Sequence, residues 1–253
     1  MKAMSDSSEK TFSNYGVYNL ESDLEFLLPN TMIKFHRIND NAFSYFRKNS
    51  EGEIIEKIIP VKSNDLKIEL APIRPLNHPA RRTTHMFLQF DKELYLSENS
   101  AASIFVHCPI EIGVFLVHDS KHDSLDWITC NPLSSRFGLY GSPDTGKLCK
   151  YAKVSLATDY DDSTSYLEGV MQIVVENTLS FGQSISKVIF QITDNALYYQ
   201  ESKTILDGIK ITMKKRAAVN IADVKTTLLE TDWPMSPTWE DKTTSTHMEM
   251  GLE

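Results

Sequence analysis

Apolar side chains recur at every second position along most of this chain, and this period limits the possible folds more than any other feature. Leu66, Ile68 and Leu70, for example, alternate with Lys67 and Glu69. Because successive side chains of a β-strand point to opposite faces, a period of two predicts strands with one buried face. The same period recurs in segments 86–90, 171–175, 188–192 and 209–213. The chain is therefore expected to be built from half-buried strands.

Turn-forming residues separate these strands at short intervals. Clusters of Asn, Asp, Ser and Gly occur at 39–41, 49–52, 63–65 and 97–100. Many short strands joined by such turns are typical of sandwiches and barrels. The best helix candidates are the short segments 222–230 and 163–169. We therefore predict an all-β protein with two β-sandwich-like halves of mostly antiparallel strands and minimal helix.

The domain prediction follows from composition and charge. Of the net charge of -8, the segment 223–253 carries -5, with seven acidic and two basic residues. We expect a disordered N-terminus at 1–12, sandwich-like domains at 13–130 and 131–226, and an acidic disordered tail at 227–253. If the tail docks on the body, Trp233 and Trp239 are the expected anchors.

Charge and hydropathy also restrict the location and the partners. The body carries too little positive charge for a sequence-independent grip on nucleic acid. No apolar stretch approaches the roughly 18–20 residues that cross a bilayer, so membrane insertion is not expected. The first residues lack the apolar centre of a signal peptide, which predicts a cytoplasmic protein. Cys108, Cys130 and Cys149 are then expected to be reduced thiols.

The stretch LYGSPDTGKLCKY, at 139–151, contains most of a phosphate-binding loop. Such a loop needs Ser or Thr after its lysine and then a helix. Here Leu148 follows Lys147, and the next residues are typical of a strand. Pro143 and Asp144 suit a tight turn, and Gly146 is expected to supply a positive φ. We therefore predict a β-hairpin and no nucleotide-binding loop.

Two other residue sets could carry chemistry. His118, His122, Asp126 and Cys130 are spaced by four, which would suit zinc on a helix. Their local sequence, however, predicts a strand, a polar turn and a second strand. Cys149 has no base placed beside it by the sequence and is expected to be an inert buried thiol. We therefore predict no metal, no cofactor and no identified catalytic residue.

A proline-rich connector at 71–79 is the best candidate for a binding site. It is expected to be extended and rigid, and rigid loops that carry cations can bind phosphates or carboxylates. Glu111 lies within an apolar central strand, where a carboxylate needs a partner, and it could orient one of the connector's arginines. The candidate ligand-binding residues are Arg74, His78, Arg81, Arg82, His85, Glu111 and Lys150.

Short motifs in a fixed order resemble a known family. They are YGVY at 15–18, PIEIGV at 109–114, LYG at 139–141 and CKY at 149–151, with weaker echoes up to 199. Together they resemble domain-of-unknown-function family 432, which is archaeal, and the resemblance covers roughly residues 13 to 225. In that family we expect Arg at the position of Lys150. The resemblance implies a soluble archaeal protein and implies no activity.

These observations leave three functions open. The leading hypothesis is a non-enzymatic binding or assembly module that contacts another protein or itself, because many strand edges must be managed and no catalytic constellation is visible. The first alternative is an enzyme or small-ligand sensor with an anion-binding pocket between the two halves. The second alternative is a carbohydrate-binding module, by analogy of fold alone.

Overall fold

The described part of the chain is almost entirely β-structure. A computed structural model describes residues 10–61, 66–78, 81–119, 121–130, 136–216 and 219–240. Within these residues, helical structure is confined to two 3-10 turns, at Tyr160–Asp162 and Ile192–Asp194, and no helix is long and apolar enough to cross a membrane. The predicted all-β class with minimal helix is confirmed.

The strands are β1 (Lys10–Phe12), β2 (Gly16–Asn19), β3 (Leu24–Leu28), β4 (Thr31–Asn39), β5 (Ala42–Asn49), β6 (Ile54–Pro60), β7 (Lys67–Ile73), β8 (His85–Leu96), β9 (Ser100–Pro109), β10 (Glu111–His118), β11 (Lys121–Ile128), β12 (Arg136–Tyr140), β13 (Lys147–Val154), β14 (Leu156–Ala157), β15 (Glu168–Asn177), β16 (Gln183–Gln191), β17 (Leu197–Gln200), β18 (Lys203–Arg216) and β19 (Val219–Thr227).

Four sheets form two sandwiches. The first sandwich combines the sheets β1-β3-β4-β5-β6 and β11-β10-β7-β2. The second combines β12-β13-β8-β16 with β14-β9-β15-β18-β17, and β19 also pairs with β18. Most neighbours are antiparallel, and the parallel pairs are β1 with β3, β8 with β13, and β15 with β18. Two sandwich-like halves of mostly antiparallel strands were expected from the sequence.

Each sandwich has its own apolar core. Phe26 and Phe35 face Ile68 and Ile112 in the first core. In the second core, Leu88 and Val188 of one sheet pack with residues of β9, β15 and β18 from the other. These core residues occupy the alternating positions of their strands, because the inward face of a pleated strand repeats every two residues. The two cores account for the period seen in the sequence.

The chain passes between the two sandwiches three times. Residues 74–84 lead from β7 to β8, Ile110 alone separates β9 from β10, and 129–135 lead from β11 to β12. As a result, β8 and β9 belong to the second sandwich. The two cores therefore do not follow the expected division into 13–130 and 131–226, because strand pairing joins segments that are distant in the sequence.

Both predicted helices are wrong. Residues 222–227 belong to β19, and 163–167 form turns that precede β15. Strand β19 pairs with β18 over its whole length, from Gly208↔Thr227 to Arg216↔Val219. The hydrogen bonds to a neighbouring strand outweigh the weak helical preference of the segment, which also contains β-branched Val224, Thr226 and Thr227.

Residues 228–240 lie along the body, which differs from the expected disordered tail. Tyr199 N–H donates to the carbonyl of Pro234, and Ser236 N–H donates to the carbonyl of Leu197. Trp239 packs on the first core, with its ring 5.7 Å from that of Phe115. Residues 10–12, expected to be disordered, form β1, and the predictions for 1–9 and 241–253 lie outside the described residues.

The predicted extended connector is shorter than expected. Ala71, Pro72 and Ile73 belong to β7, where Pro72 is opposite Ile112 of β10. Strand β2 pairs only with residues 67–70 of β7, so the other side of the strand is an edge at Pro72. A proline is tolerated there because no ladder hydrogen bond is lost. The connector between the sandwiches is therefore 74–84.

Candidate ligand-binding pocket

A large pocket lies where the connector 74–84 passes between the two sandwiches. It has a volume of about 1140 Å³, which is ample for a small molecule. Its basic lining comes from the connector, from the first residues of β8 and β13, and from β11. These residues are Arg74, Arg81, Arg82, His85, His122 and Lys147. None of the described residues that line this pocket is Asp or Glu. We call it the cationic pocket.

Two of these basic side chains already face carboxylates outside the pocket lining. Arg74 donates from Nε to the Asn195 carbonyl at 3.0 Å. Burial lowers the pKa of Arg74, while Asp194 and Asp207 oppose that shift. His122 Nε2 lies 2.7 Å from a carboxylate oxygen of Glu69, which is buried and also accepts a hydrogen bond from Tyr199. These two side chains are therefore held in place before any ligand arrives.

The remaining cations sit around the mouth of the pocket. Arg81 donates to the carbonyl of Trp239 at 2.6 Å, which fixes the direction of its guanidinium. Arg82 and Lys147 are both exposed. Among the described residues, no carboxylate lies within ion-pair distance of Arg82 or Lys147. An anion entering the pocket would therefore meet the charges of Arg82 and Lys147, which no described carboxylate pairs with.

The pKa of His85 is affected by the charges around the cationic pocket. Its Nε2 lies 3.3 Å from Lys147 Nζ, and its Nδ1 lies 3.0 Å from the Thr84 hydroxyl. Burial lowers the pKa of His85, the positive charge of Lys147 lowers it further, and Asp194 opposes the shift. The surroundings therefore favour the neutral imidazole, which would gain a proton more readily if an anion were bound beside it.

The rest of the lining is largely apolar. Pro72, Leu76 and Leu197 contribute carbon surface from the two sandwiches, and Met235 and Trp239 contribute it from the segment 228–240. A pocket with an apolar wall and a few placed charges suits a ligand that is itself partly apolar.

Glu111 does not orient an arginine, and that part of the prediction is wrong. Its two carboxylate oxygens accept the backbone N–H groups of Asn77 and His78, at 3.0 and 2.9 Å. Lys150 donates from Nζ to the His78 carbonyl. Burial raises the pKa of Glu111 to about 7, although the two amides and Lys150 act in the opposite direction. Burial likewise lowers the pKa of Lys150, which the charge of Glu111 opposes.

Glu111 and Lys150 thus hold the connector through the backbone of Asn77 and His78. Glu111 begins β10 of the first sandwich, and Lys150 lies in β13 of the second. They fix the turn at 77–78, which follows Arg74 and precedes Arg81. The candidate residues therefore separate into pocket-lining side chains (Arg74, Arg81, Arg82 and His85) and the side chains that support the connector (Glu111 and Lys150), whereas His78 lines a smaller neighbouring cavity.

The segment that resembles a phosphate loop is a hairpin, as predicted. Strands β12 and β13 pair antiparallel, with Tyr140 opposite Lys147. The expectation of a positive φ at Gly146 is wrong, because Gly141 adopts it, at 105°. Gly146 is needed for space: a Cβ there would come within 2.5 Å of the Ser142 carbonyl oxygen. Lys147 ends this turn and points its charge into the cationic pocket.

His118, His122 and Asp126 lie on the hairpin of β10 and β11, as predicted, and Cys130 follows β11. His122 contacts Glu69, and Asp126 forms a buried ion pair with Arg47 at 2.7 Å. In the described ranges, no three His, Cys, Asp or Glu side chains are grouped as metal ligands. Cys108, Cys130 and Cys149 are all free and buried, and burial raises the pKa of each thiol.

The sequence did not predict that His122, Lys147 and the wall formed by residues 235–239 belong to this pocket. In the sequence, His122 belongs to a zinc-like spacing and Lys147 to a motif that resembles a phosphate loop. Both residues lie on strands that are distant from the connector along the chain. The tail offered one signal, since a tryptophan in an otherwise polar segment is a candidate anchor. Trp239 is that anchor.

The chain was compared with known proteins. A family model described as protein of unknown function, DUF432, matches residues 14–250. The chain belongs to this family. No curated protein and no solved structure matches it. The DUF432 match spans every strand of the two sandwiches except β1, and it includes every described residue of the cationic pocket. The pocket therefore lies inside the region that defines the family.

Proposed function

We propose that this DUF432 protein is a binding protein for a small anionic ligand, which it takes up in the cationic pocket. The observation that carries the proposal is the absence of any described acidic side chain from a lining that holds three arginines, a lysine and two histidines. Guanidinium groups suit carboxylates and phosphates because they donate two parallel hydrogen bonds. The ligand would place its anionic group near Arg82, Lys147 and His85.

The apolar wall adds to the proposal. Leu76, Met235 and Trp239 would cover a carbon portion of the ligand, so an anion with an apolar body fits better than a bare inorganic ion. Such a pocket between two sandwiches corresponds to the ligand-sensor hypothesis. The hypothesis of protein-protein assembly depends on a different feature, which is the set of unpaired strand edges. Carbohydrate binding stays a prediction.

The site of action is part of the proposal. Three thiols that are all free and buried suit a reducing compartment, and we place the protein in the cytoplasm of its cell.

The test measures anion binding by calorimetry and by NMR of the His85 ring, with pyrophosphate and a medium-chain fatty acid as probes. We expect one saturable site and an upward shift of the His85 pKa on binding, because the bound anion offsets the charge of Lys147. Arg82→Ala and Lys147→Ala should each weaken binding about tenfold or more, which corresponds to loss of one charge-assisted hydrogen bond.

Lys153→Ala is the matched control. Lys153 is exposed and lies on the same strand as Lys147, outside the pocket lining. All three variants should keep the melting temperature of the parent, as surface changes usually do. Equal affinity in the Lys147 and Lys153 variants, or no binding of either probe, would contradict the proposal.

A further inference from the structure

Two strand edges face each other across a second cavity. Among the described strands, β16 is the last of its sheet and pairs only with β8, and β19 pairs only with β18. Between them lies a groove of about 1080 Å³, which we call the edge groove. All nine residues of β16, Gln183–Gln191, line it, together with residues 221, 222 and 224–226 of β19. Only the edge of a strand can present consecutive residues to one space, because its side chains alternate between faces.

Such edges offer unpaired backbone groups. The N–H and C=O groups on the open side of β16 are a template for another strand, and proteins usually protect them. Here a bulge between Ile185 and Lys187 and the charge of Lys187 restrict pairing. The regular part, 187–191, remains available. An added strand would have to place a carboxylate near Lys187.

The groove combines an apolar floor with a positive rim. Val188, Phe190, Ile211 and Met213 of the second core form its floor. Its rim carries the basic residues Lys187, Lys225, His85 and Lys147, and among the described lining residues one is acidic, Asp194. A strand that fits here has apolar side chains on one face and acidic side chains on the other.

One segment of this chain has that pattern. In residues 247–253, HMEMGLE, Met248, Met250 and Leu252 alternate with Glu249, Gly251 and Glu253. The described chain ends at Glu240, next to Trp239 in the wall of the cationic pocket, and that pocket shares His85 and Lys147 with the edge groove. The six intervening residues, 241–246, span up to about 20 Å when extended.

We propose that residues 247–253 add to β16 as a further strand and fill the edge groove of their own chain. The backbone hydrogen bonds would be made with the open side of β16, the two methionines and Leu252 would face the second core, and Glu249 would approach Lys187 or Lys225. The short tether raises the effective concentration of the segment at the groove, which favours its own chain over a free peptide. This strand addition is independent of anion binding in the cationic pocket.

Hydrogen exchange measured by NMR on the full chain tests the proposal. Every second amide of β16, those not bonded to β8, should be protected. In the double variant Met248→Lys/Met250→Lys these amides should exchange at least about tenfold faster, because lysines on the apolar face prevent docking. The matched control, Thr243→Lys/Thr244→Lys, adds the same charge within the tether and should keep the protection.

Three results would overturn the proposal. The first is equally fast exchange of these amides in the parent chain and in the methionine variant, which would leave the groove to a different protein. The second is protection that depends on protein concentration, which would assign the strand to a second copy. The third is equal loss of protection in the threonine control. Restoration of protection in the methionine variant by an added peptide of residues 245–253 would support it.

Discussion

Two buried polar sites, one in each sandwich, are satisfied in different ways. In the first, Arg47 and Asp126 are 8 and 6% exposed, join the two sheets at 2.7 Å, and are completed by the Tyr45 hydroxyl, which donates to Asp126 at 2.6 Å. In the second, Asn177 is 1% exposed and serves the backbone of a loop: its amide nitrogen donates to the carbonyls of Ser97 and Phe181, and its oxygen accepts from Leu179. The site in the first sandwich therefore depends on a matched pair of charges, and the site at Asn177 in the second depends on an uncharged side chain that satisfies main-chain groups.

The largest expected effect is the loss of the charge pair. Asp126→Asn leaves Arg47 buried with only the exposed Glu53 nearby, at 3.5 Å. Removing one partner of a buried pair costs about 3–5 kcal/mol of unfolding free energy. Urea denaturation measures it. Glu53→Gln is the control and should cost less than about 1 kcal/mol, as exposed pairs do. If Asp126→Asn and Glu53→Gln lowered the free energy of unfolding by similar amounts, the buried Arg47–Asp126 pair would contribute no more than the exposed Arg47–Glu53 contact, contrary to this prediction.

The second effect concerns Glu111, an ionisable group that serves the backbone. Its pKa of about 7 in the folded protein lies above the usual carboxylate value, so the folded chain holds a proton that the unfolded chain releases. Protonated Glu111 therefore contributes about 3 kcal/mol to the free energy of unfolding below pH about 4.5, and this contribution is lost as the pH rises towards 7. Glu111→Gln should remove this slope.

The measurement for Glu111 is urea unfolding of parent and variant at several values between pH 4.5 and pH 8. Glu56→Gln, on an exposed carboxylate of β6, should keep the slope of the parent. If the difference between the parent and the Glu111 variant is independent of pH, the carboxylate is ionised throughout and its hydrogen bonds outweigh its burial.

The smallest of the three effects tests the second sandwich. Asn177→Ala leaves the Leu179 amide and the two carbonyls without their partner, and a buried unsatisfied group costs about 1–3 kcal/mol. We expect a loss of about 2 kcal/mol, without dependence on pH, and faster hydrogen exchange in residues 178–182. Thr193→Ala is the control. It removes an exposed hydroxyl that accepts a hydrogen bond from the Gln191 side chain, and it should change the free energy of unfolding little. A pH-dependent loss in Asn177→Ala would contradict the contrast between the sandwiches.

Sequence reasoning found the strands because their period is local. The core positions of β7, β8 and β15 can be read directly from alternation, and so can the hairpin before Lys147. Their partners cannot be read in this way: β9 pairs with β15 through Val106↔Met171, and nothing in either segment names the other. The mistaken helix at 222–230 has the same cause, since pairing with β18 decides its structure.

The binding pocket was predictable only where the chain is contiguous. Arg74, Arg81, Arg82 and His85 lie within one short segment, so their clustering is visible in the sequence. His122 and Lys147 reach the same space from β11 and β13, and only the tertiary structure brings them together. The sequence indicated that Glu111 needs a partner, because it is a carboxylate in an apolar strand. It could not indicate which partner, because Glu111 bonds to backbone N–H groups, and every residue except proline carries one.

The three passages between the sandwiches affect how the chain is made. During synthesis, β8 emerges before β15 and β18, which belong to the sheet that covers its apolar face, and β9 emerges before β15, its neighbour in that sheet. Roughly 100 residues separate β8 from β18, which at about 5–20 residues per second means some 5–20 seconds. Throughout that interval the apolar residues Met86, Leu88 and Phe90 of β8 lack most of the sheet that covers them. The nascent chain therefore exposes apolar surface for a defined period, during which a chaperone could bind it. Because the strands of the two sandwiches alternate along the chain, the first sandwich cannot be completed before part of the second has been synthesised.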